Sequence, residues 1–433
     1  MRYILTLLYF LQLLLPAGLE AAPRDERIKV TAEQFTPREE GVWMTPWIDT
    51  SKSFDELIYS WGRALGDGEG IRFYLEVRFE DGTTSDWLYA GYWGDVTDLV
   101  EEREIPRFTD GRLDYDQLLV KRPANGFRYK VVSAGTVPLA AAPSMRVIAT
   151  DNRIAATSPG APTLAIPPVL DLPLRLQKDS KGERMPDRCQ SAAVATAMQF
   201  YGKAVNLEDI VAMTNDPEYD LAGIWPRTIG AAIENGFGGY IDRFRDWDDV
   251  VRTLTDGNII LCSITMPKGG NYIDPPYRKM SGHIVALAGL SPDGRIVYIV
   301  DSALGEANEG YLTPWYREDF EKVWLTTKGG VGMVIEAPPG MVPRYAPALP
   351  RLVPRRAYYR EARALLRSNA DAAEKHAATL RLRLETLEAA DRKKAEQELK
   401  DLETAIAEGR ALAEEFTTLL VEGWKDPLVN RMP

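Results

Sequence analysis

Histidine and cysteine are scarce in this chain, at two residues each in 433. A zinc centre draws three or four closely set thiolate, imidazole or carboxylate ligands, so two distant histidines and two dissimilar cysteines fall short of one. No metal and no cofactor is expected. Basic residues are outnumbered, 52 Lys and Arg against 63 Asp and Glu, for a formal charge of −11. A chain that neutralises a phosphate backbone needs the opposite balance, so no nucleic-acid partner is expected. A phosphate-cradling loop is missing too, because Gly236-Phe237-Gly238-Gly239 lacks the lysine and spacing of such loops and reads as a turn. Past the first residues there is no apolar run of the roughly 20 residues that a membrane-crossing helix needs.

The first residues pair one cation, Arg2, with an apolar run from Tyr3 to Leu15, a break at Pro16 and Gly18, and small residues at Ala21-Ala22. This is the pattern of a secretory signal peptide over residues 1–22, cut near Ala22. The expected location is therefore outside the cytoplasm, periplasmic or extracellular, and cell-envelope association is an expected option. A retained anchor is the competing reading, but the run is short for one.

With 45% hydrophobic and 9% aromatic residues the chain can bury two or three cores. Residues 29–153 read as an all-β sandwich. The stretch Ile71–Phe79 alternates, Asp81-Gly82 is a turn signal, and Asp86–Ala90, Phe127–Val132 and Met145–Ala149 are further strands. The tryptophans of this part, Trp43, Trp47, Trp61, Trp87 and Trp93, read mostly as core, against a carbohydrate platform. Residues 154–168 are rich in Ala, Pro, Ser and Thr and read as a linker, and a new unit spans 169–338. A Pro-rich linker follows at 339–354. Residues 355–425 read as a helical hairpin or coiled coil. Leu399, Leu402, Ile406, Ala413, Phe416 and Leu420 form one apolar stripe, while Leu380, Leu384 and Leu387 form another out of phase. The break places a turn near Ala389–Asp391, or else a stutter in one long helix. Self-association through this stripe is an expected option. His376 lies there on a charged face and reads as solvated.

The chemistry concentrates in residues 169–338. Cys189 precedes the helix-like run Gln190–Tyr201, closed by Gly202. Unpaired N–H groups at a helix start favour a thiolate. Cys262 sits in an apolar strand pattern, where an inert buried thiol is usual. A disulfide between the two is the bland alternative in an exported chain. His283 is the only imidazole of this unit, so an acid–base role for histidine falls to it, against the plain reading of a core histidine. The run Arg295–Asp301 follows a Pro292-Asp293-Gly294 turn and pairs back on the His283 strand, which brings Asp301 level with the residues around His283. A carboxylate there fixes the imidazole tautomer and steadies its cation. Taken alone, Asp301 reads as a turn cap.

These residues resemble the papain-like cysteine peptidases of the bacteriocin-leader-processing type, the C-39-like group. The resemblance covers residues 169–336. Asp171–Gln177 is similar to the opening strand with its glutamine, Arg188–Met198 to the nucleophile helix, and Gly223-Ile224-Trp225-Pro226 to a loop of one branch. Gly282–Gly289 is similar to the base strand, Val300-Asp301 to the carboxylate position, and Tyr316–Trp324 to a closing segment. The resemblance implies an α+β chain in which a papain-like peptidase domain is preceded by the sandwich and followed by the helical hairpin. It implies Cys189 as nucleophile, His283 as base then acid, Asp301 as orienter, and Gln177 as oxyanion donor beside the Cys189 N–H. This chain departs from the pattern by Gln190-Ser191 after the cysteine, by the polar insert Lys178–Arg188, which must loop out, and by the absence of proline after Asp301.

The leading expectation is an exported cysteine peptidase or amide hydrolase acting on a peptide or protein through a thioester. An inactive papain-like domain that binds a peptide or envelope component is the alternative, and a scaffold assembled through sandwich and hairpin is a third.

Overall fold

The computed structural model describes residues 24–99, 103–155, 159–277, 280–303, 312–350, 352 and 355–422. The expected leader, 1–22, lies outside them. The described chain is mixed α and β: a sheet-rich N-terminal region, a second antiparallel sheet covered by helices, and two long C-terminal helices.

The N-terminal strands are β1 (Asp25–Val30), β2 (Thr36–Glu39), β3 (Val42–Met44), β4 (Ile48–Trp61), β5 (Gly70–Phe79), β6 (Leu88–Gly94), β7 (Arg107–Phe108), β8 (Gly111–Asp114), β9 (Gln117–Ser133) and β10 (Met145–Thr150). They hydrogen-bond into one ten-stranded antiparallel network in the order β1-β10-β4-β9-β3-β2, and this network is compatible with the expected sandwich. The long β9 serves β8 with its first residues and β5 with its later ones. In β5 the alternation works as read: Ile71, Phe73, Leu75, Val77 and Phe79 are buried. Of the tryptophans, Trp61 and Trp93 are buried, and Trp61 stacks on Phe73 with ring centroids 4.5 Å apart. Trp47 and Trp87 are half-buried instead, with the Arg128 guanidinium over both rings at 4.6 and 5.1 Å.

The second sheet contains β11 (Gly238–Arg243), β12 (Ile259–Met266), β13 (Met280–Leu290), β14 (Ile296–Val300), β15 (Thr313–Tyr316) and β16 (Val331–Glu336), ordered β11-β16-β12-β13-β14-β15. Against it lie α1 (Cys189–Phe200), α2 (Leu207–Thr214), α3 (Trp225–Glu234) and α4 (Trp247–Thr255). Every residue of α1 from Gln190 to Met198 is buried, and its alanines let neighbours approach on all sides. A helix of small residues buried on every side belongs in a core. The short α5 (Arg317–Glu321) and the π-helical turn after it close this core with Phe320 and Trp324, packed on Trp247.

The two sheets share packing. Gly230 of α3 presses so closely on Trp93 that an added Cβ would meet the indole at 2.7 Å, and the Trp93 Nε1–H donates to Glu234 at 2.8 Å. Arg243 of β11 forms a buried ion pair with Glu56 of β4. The Pro-rich stretch after Pro338 returns to the second core: Asp171 N–H donates to Arg344 O, Ala346 N–H donates to Val169 O, and Met341, Ala346 and Leu349 pack there.

At the C-terminal end α6 (Arg355–Leu384) and α7 (Ala389–Glu422) pack antiparallel, as a hairpin and not as one stuttered helix. Ala377, Leu380, Ala395, Ile406 and Ala413 are buried between them, and pairs such as Arg381 with Glu403 at 2.6 Å bridge the edges. His376 is exposed, with Glu398 3.0 Å away. Among the described residues no helix is long and apolar enough to cross a membrane.

Candidate active site

Cys189 is the first residue of α1, half-buried and unbridged; Cys262 is free as well, so the disulfide alternative is overturned. The two thiols differ as their settings require. Cys262 on β12 is fully buried, and desolvation pushes its thiol well up. For Cys189 burial also opposes the thiolate, but a hydrogen bond and charge from His283 outweigh it. The backbone N–H groups of Ile284 and Gln190 assist, and the thiol lies below its ordinary value.

His283 is buried on β13, facing Ile264 of β12. Its Nε2 is 2.9 Å from Asp301 Oδ1, which leaves Nδ1 for the Cys189 sulfur. Burial disfavours the imidazolium, but the Asp301 charge and hydrogen bond, followed by Cys189, push the ring up to about 10. Burial raises Asp301 too, and His283, the Tyr277 hydroxyl and the Ala303 N–H together hold it below its usual range. The Ala303 N–H donates to Oδ1 at 2.9 Å, so Asp301 caps its turn as well as facing the ring.

A β-bulge makes this meeting possible. Near the hairpin turn Leu290 pairs with Val297 and Gly289 with Tyr298; beyond Ala288 the register slips by one, so that Leu287 pairs with Ile299 and Ala286 with Val300. Continued one step, this register sets Asp301 opposite Val285, on the face shared with His283. Without the extra residue Asp301 would sit opposite Ala286 and face the other way, because successive strand residues alternate in direction. Gly289 permits the bulge: its φ is +146°, and a Cβ would meet the Val169 Cα at 3.2 Å. The Ala288 carbonyl freed by the bulge accepts the Leu170 N–H at 2.9 Å.

Gln177 is buried beside these residues. Its Oε1 accepts the N–H of Arg188, the residue before Cys189, at 3.0 Å, and this turns its amino group toward Ser302 Oγ, 2.9 Å away. One amide hydrogen remains for another acceptor. The insert after it forms a small hairpin, with Lys178 bridged to Arg184 and Met185 N–H donating to Gln177 O.

Three supporting residues carried no readable signal. Tyr277 donates its hydroxyl to Asp301 Oδ2 at 2.7 Å and lies edge-on to His283, ring centroids 5.9 Å apart. Asp319 of α5, fully buried, accepts the N–H groups of Ile273 and Asp274 at 2.7 and 2.8 Å and so fixes the segment leading to Tyr277. Gln190 donates to Ile224 O at 2.6 Å and accepts the Gly223 N–H, tying the Gly223–Pro226 loop to α1. The N-terminal region braces the same loop through Asp116, which accepts the Trp225 N–H at 3.1 Å, and the stretch before it through Tyr89, which donates to Glu218 at 2.9 Å.

A thiol held against an imidazole, itself held by a carboxylate, is the arrangement of a cysteine acyl-transfer centre. Residues 169–331 match the model of the peptidase C39 like family, and this similarity supports a cysteine peptidase-like domain there. No curated protein matches the chain. Among solved structures, the structure of the infectious bursal disease virus Gt strain is 13% identical over 31% of this chain and 38% of that chain, with a TM-score of 0.19. Truncated AlyQ with CBM32 and alginate lyase domains is 9% identical over 72% of this chain and 97% of that one, with a TM-score of 0.15. At such scores neither likeness bears on fold or function.

Proposed function

We propose that the chain is an exported cysteine peptidase or related amide hydrolase with a papain-like catalytic domain, acting through Cys189, His283 and Asp301. The observation that carries this reading is the continuous contact from the Cys189 sulfur through the His283 ring to Asp301. The thiolate attacks the substrate carbonyl, and the oxyanion receives the Cys189 N–H and the spare Gln177 amide hydrogen. His283, already protonated, passes its proton to the departing amine, leaving a thioester on Cys189. The neutral ring then takes a proton from water as water attacks the thioester, and the acid leaves with the sulfur restored. Asp301 keeps the Nε2 proton in place throughout and lowers the cost of the imidazolium. The β-rich N-terminal region serves as the binding module that steadies the cleft loop.

The test is trapping of the acyl-enzyme. Purified mature protein incubated with a mixed peptide pool and quenched in acid should show an adduct on the Cys189 peptide by mass spectrometry, absent in Cys189→Ala and strongly reduced in His283→Ala. Turnover of the pool by Cys189→Ala at the wild-type rate would sink the reading.

A further inference from the structure

A cleft of about 310 Å3 opens beside Gln177, between Leu176, Lys178 and Arg184 on one side and Ser302 and Ala303 on the other. Its position relative to the chemistry is defined. Ser302 and Ala303 directly follow Asp301, and Gln177 donates to Ser302 Oγ, so the cleft adjoins both the oxyanion donor and the partner of the base. The amine that departs from a cysteine acyl-transfer centre must lie next to the imidazole that protonates it. Gln190, the residue after Cys189, holds the Gly223–Pro226 loop. A cleft beside the partner of the base is placed to receive the leaving portion of a substrate.

The wall of that cleft is cationic in a chain whose formal charge is −11. Arg184 is exposed and forms no ion pair among the described residues, and its charge reaches the Tyr277 hydroxyl beside Asp301. Of the acids in the hairpin, Asp179 is turned inward onto the N–H groups of Lys181 and Glu183, and neither Glu183 nor Asp187 lines the cleft. The hairpin bearing these cations is the insert that sets this chain apart from the pattern it resembles.

We propose that this cleft is a carboxylate-binding subsite for the leaving portion of the substrate, with Arg184 as its principal cation and the Ser302 hydroxyl as a second donor. It rests on the catalytic reading given above. A planar guanidinium matches a carboxylate with two parallel hydrogen bonds. Two sources carry that chemistry, the free end of a peptide chain and an acidic side chain.

Three probes separate them, built on one epoxysuccinyl warhead with a single residue on the leaving-group side: alanine as the free acid, alanine carboxamide, and aspartate carboxamide. Inactivation of full-length protein is followed as loss of the free Cys189 thiol. At least one carboxylate probe should react about tenfold faster than alanine carboxamide, and in Arg184→Gln the carboxylate and carboxamide rates should become equal. Preference for the free acid alone identifies a chain terminus, and equal preference for aspartate carboxamide identifies a side chain. Equal rates for all three, or a preference that survives Arg184→Gln, would overturn the subsite and leave the catalytic reading standing. Failure of every probe to modify Cys189 would overturn both.

Discussion

The Tyr277 hydroxyl donates to Asp301 at 2.7 Å, on the oxygen that His283 leaves free. A buried carboxylate bonded on both oxygens holds its rotamer and shares its charge, so Tyr277 sets how strongly Asp301 favours the imidazolium. Tyr277→Phe removes one hydrogen bond to a charged group, a change of about 1.5–3 kcal/mol. The rate should fall, and the alkaline limb of the pH profile should move upward, because a less shared carboxylate binds the His283 proton more tightly. An unmoved alkaline limb in the variant would show that Tyr277 only fills space.

Reactivity of the two thiols gives the second expectation. Iodoacetamide should label Cys189 and spare Cys262 in native protein. The Cys189 thiol is held low and the His283 ring is raised to about 10, so the ion pair persists between those limits. It is lost as pH falls through the lowered thiol value and again as pH rises through the raised imidazole value. Labelling of Cys189 should accordingly persist to lower pH than labelling of an ordinary thiol. In His283→Ala burial is opposed only by the Ile284 and Gln190 N–H groups, so the thiol rises and neutral labelling should slow by about 100-fold or more. Mass spectrometry of each cysteine peptide across pH provides the check.

Gly289→Ala tests the bulge. The substitution forces a side chain into φ +146° and against the Val169 backbone, and such mismatches cost about 1–3 kcal/mol. Urea unfolding should report that loss. If the hairpin escapes by losing the bulge, Asp301 turns away from His283, and Cys189 labelling at neutral pH should drop even where the protein remains folded. Full stability and full labelling would remove the bulge from the argument.

The Arg243 and Glu56 pair crosses between the two sheets in a buried setting. Removing one partner strands a charge, so Arg243→Met should destabilise by about 3–5 kcal/mol, whereas Glu56→Gln with Arg243→Met should recover part of that loss. Thermal unfolding of both variants decides it. Equal destabilisation in the single and double variants would mean that shape, not charge, matters at this joint.

The sequence made Cys189 legible because a helix start beside a lone cysteine is a local signal, and His283 because no other imidazole competes in that unit. The hairpin count that suggested Asp301 was a different matter. Strict pairing back from the turn gives Asp301 the wrong face, and only the slip at Ala288, marked by nothing but Gly289, sets it toward the ring. Gln177 was suggested by likeness alone, and its two hydrogen bonds join residues 11 and 125 positions away. Tyr277 and Asp319 were illegible for the same reason: tyrosine after two prolines and aspartate in a short helix are ordinary, and their partners are fixed only by packing. The β-rich start and helical end were readable because strand alternation and helical spacing are local patterns. The joint between the sheets was not, since Gly230 facing Trp93 leaves no periodic trace.

Residues 169–171 and 344–346 lie side by side, joined by backbone hydrogen bonds. Tension applied between the flanking regions would thus be carried by this clasp and bypass the thiol and imidazole, so a pull on either neighbour would leave that pair unloaded.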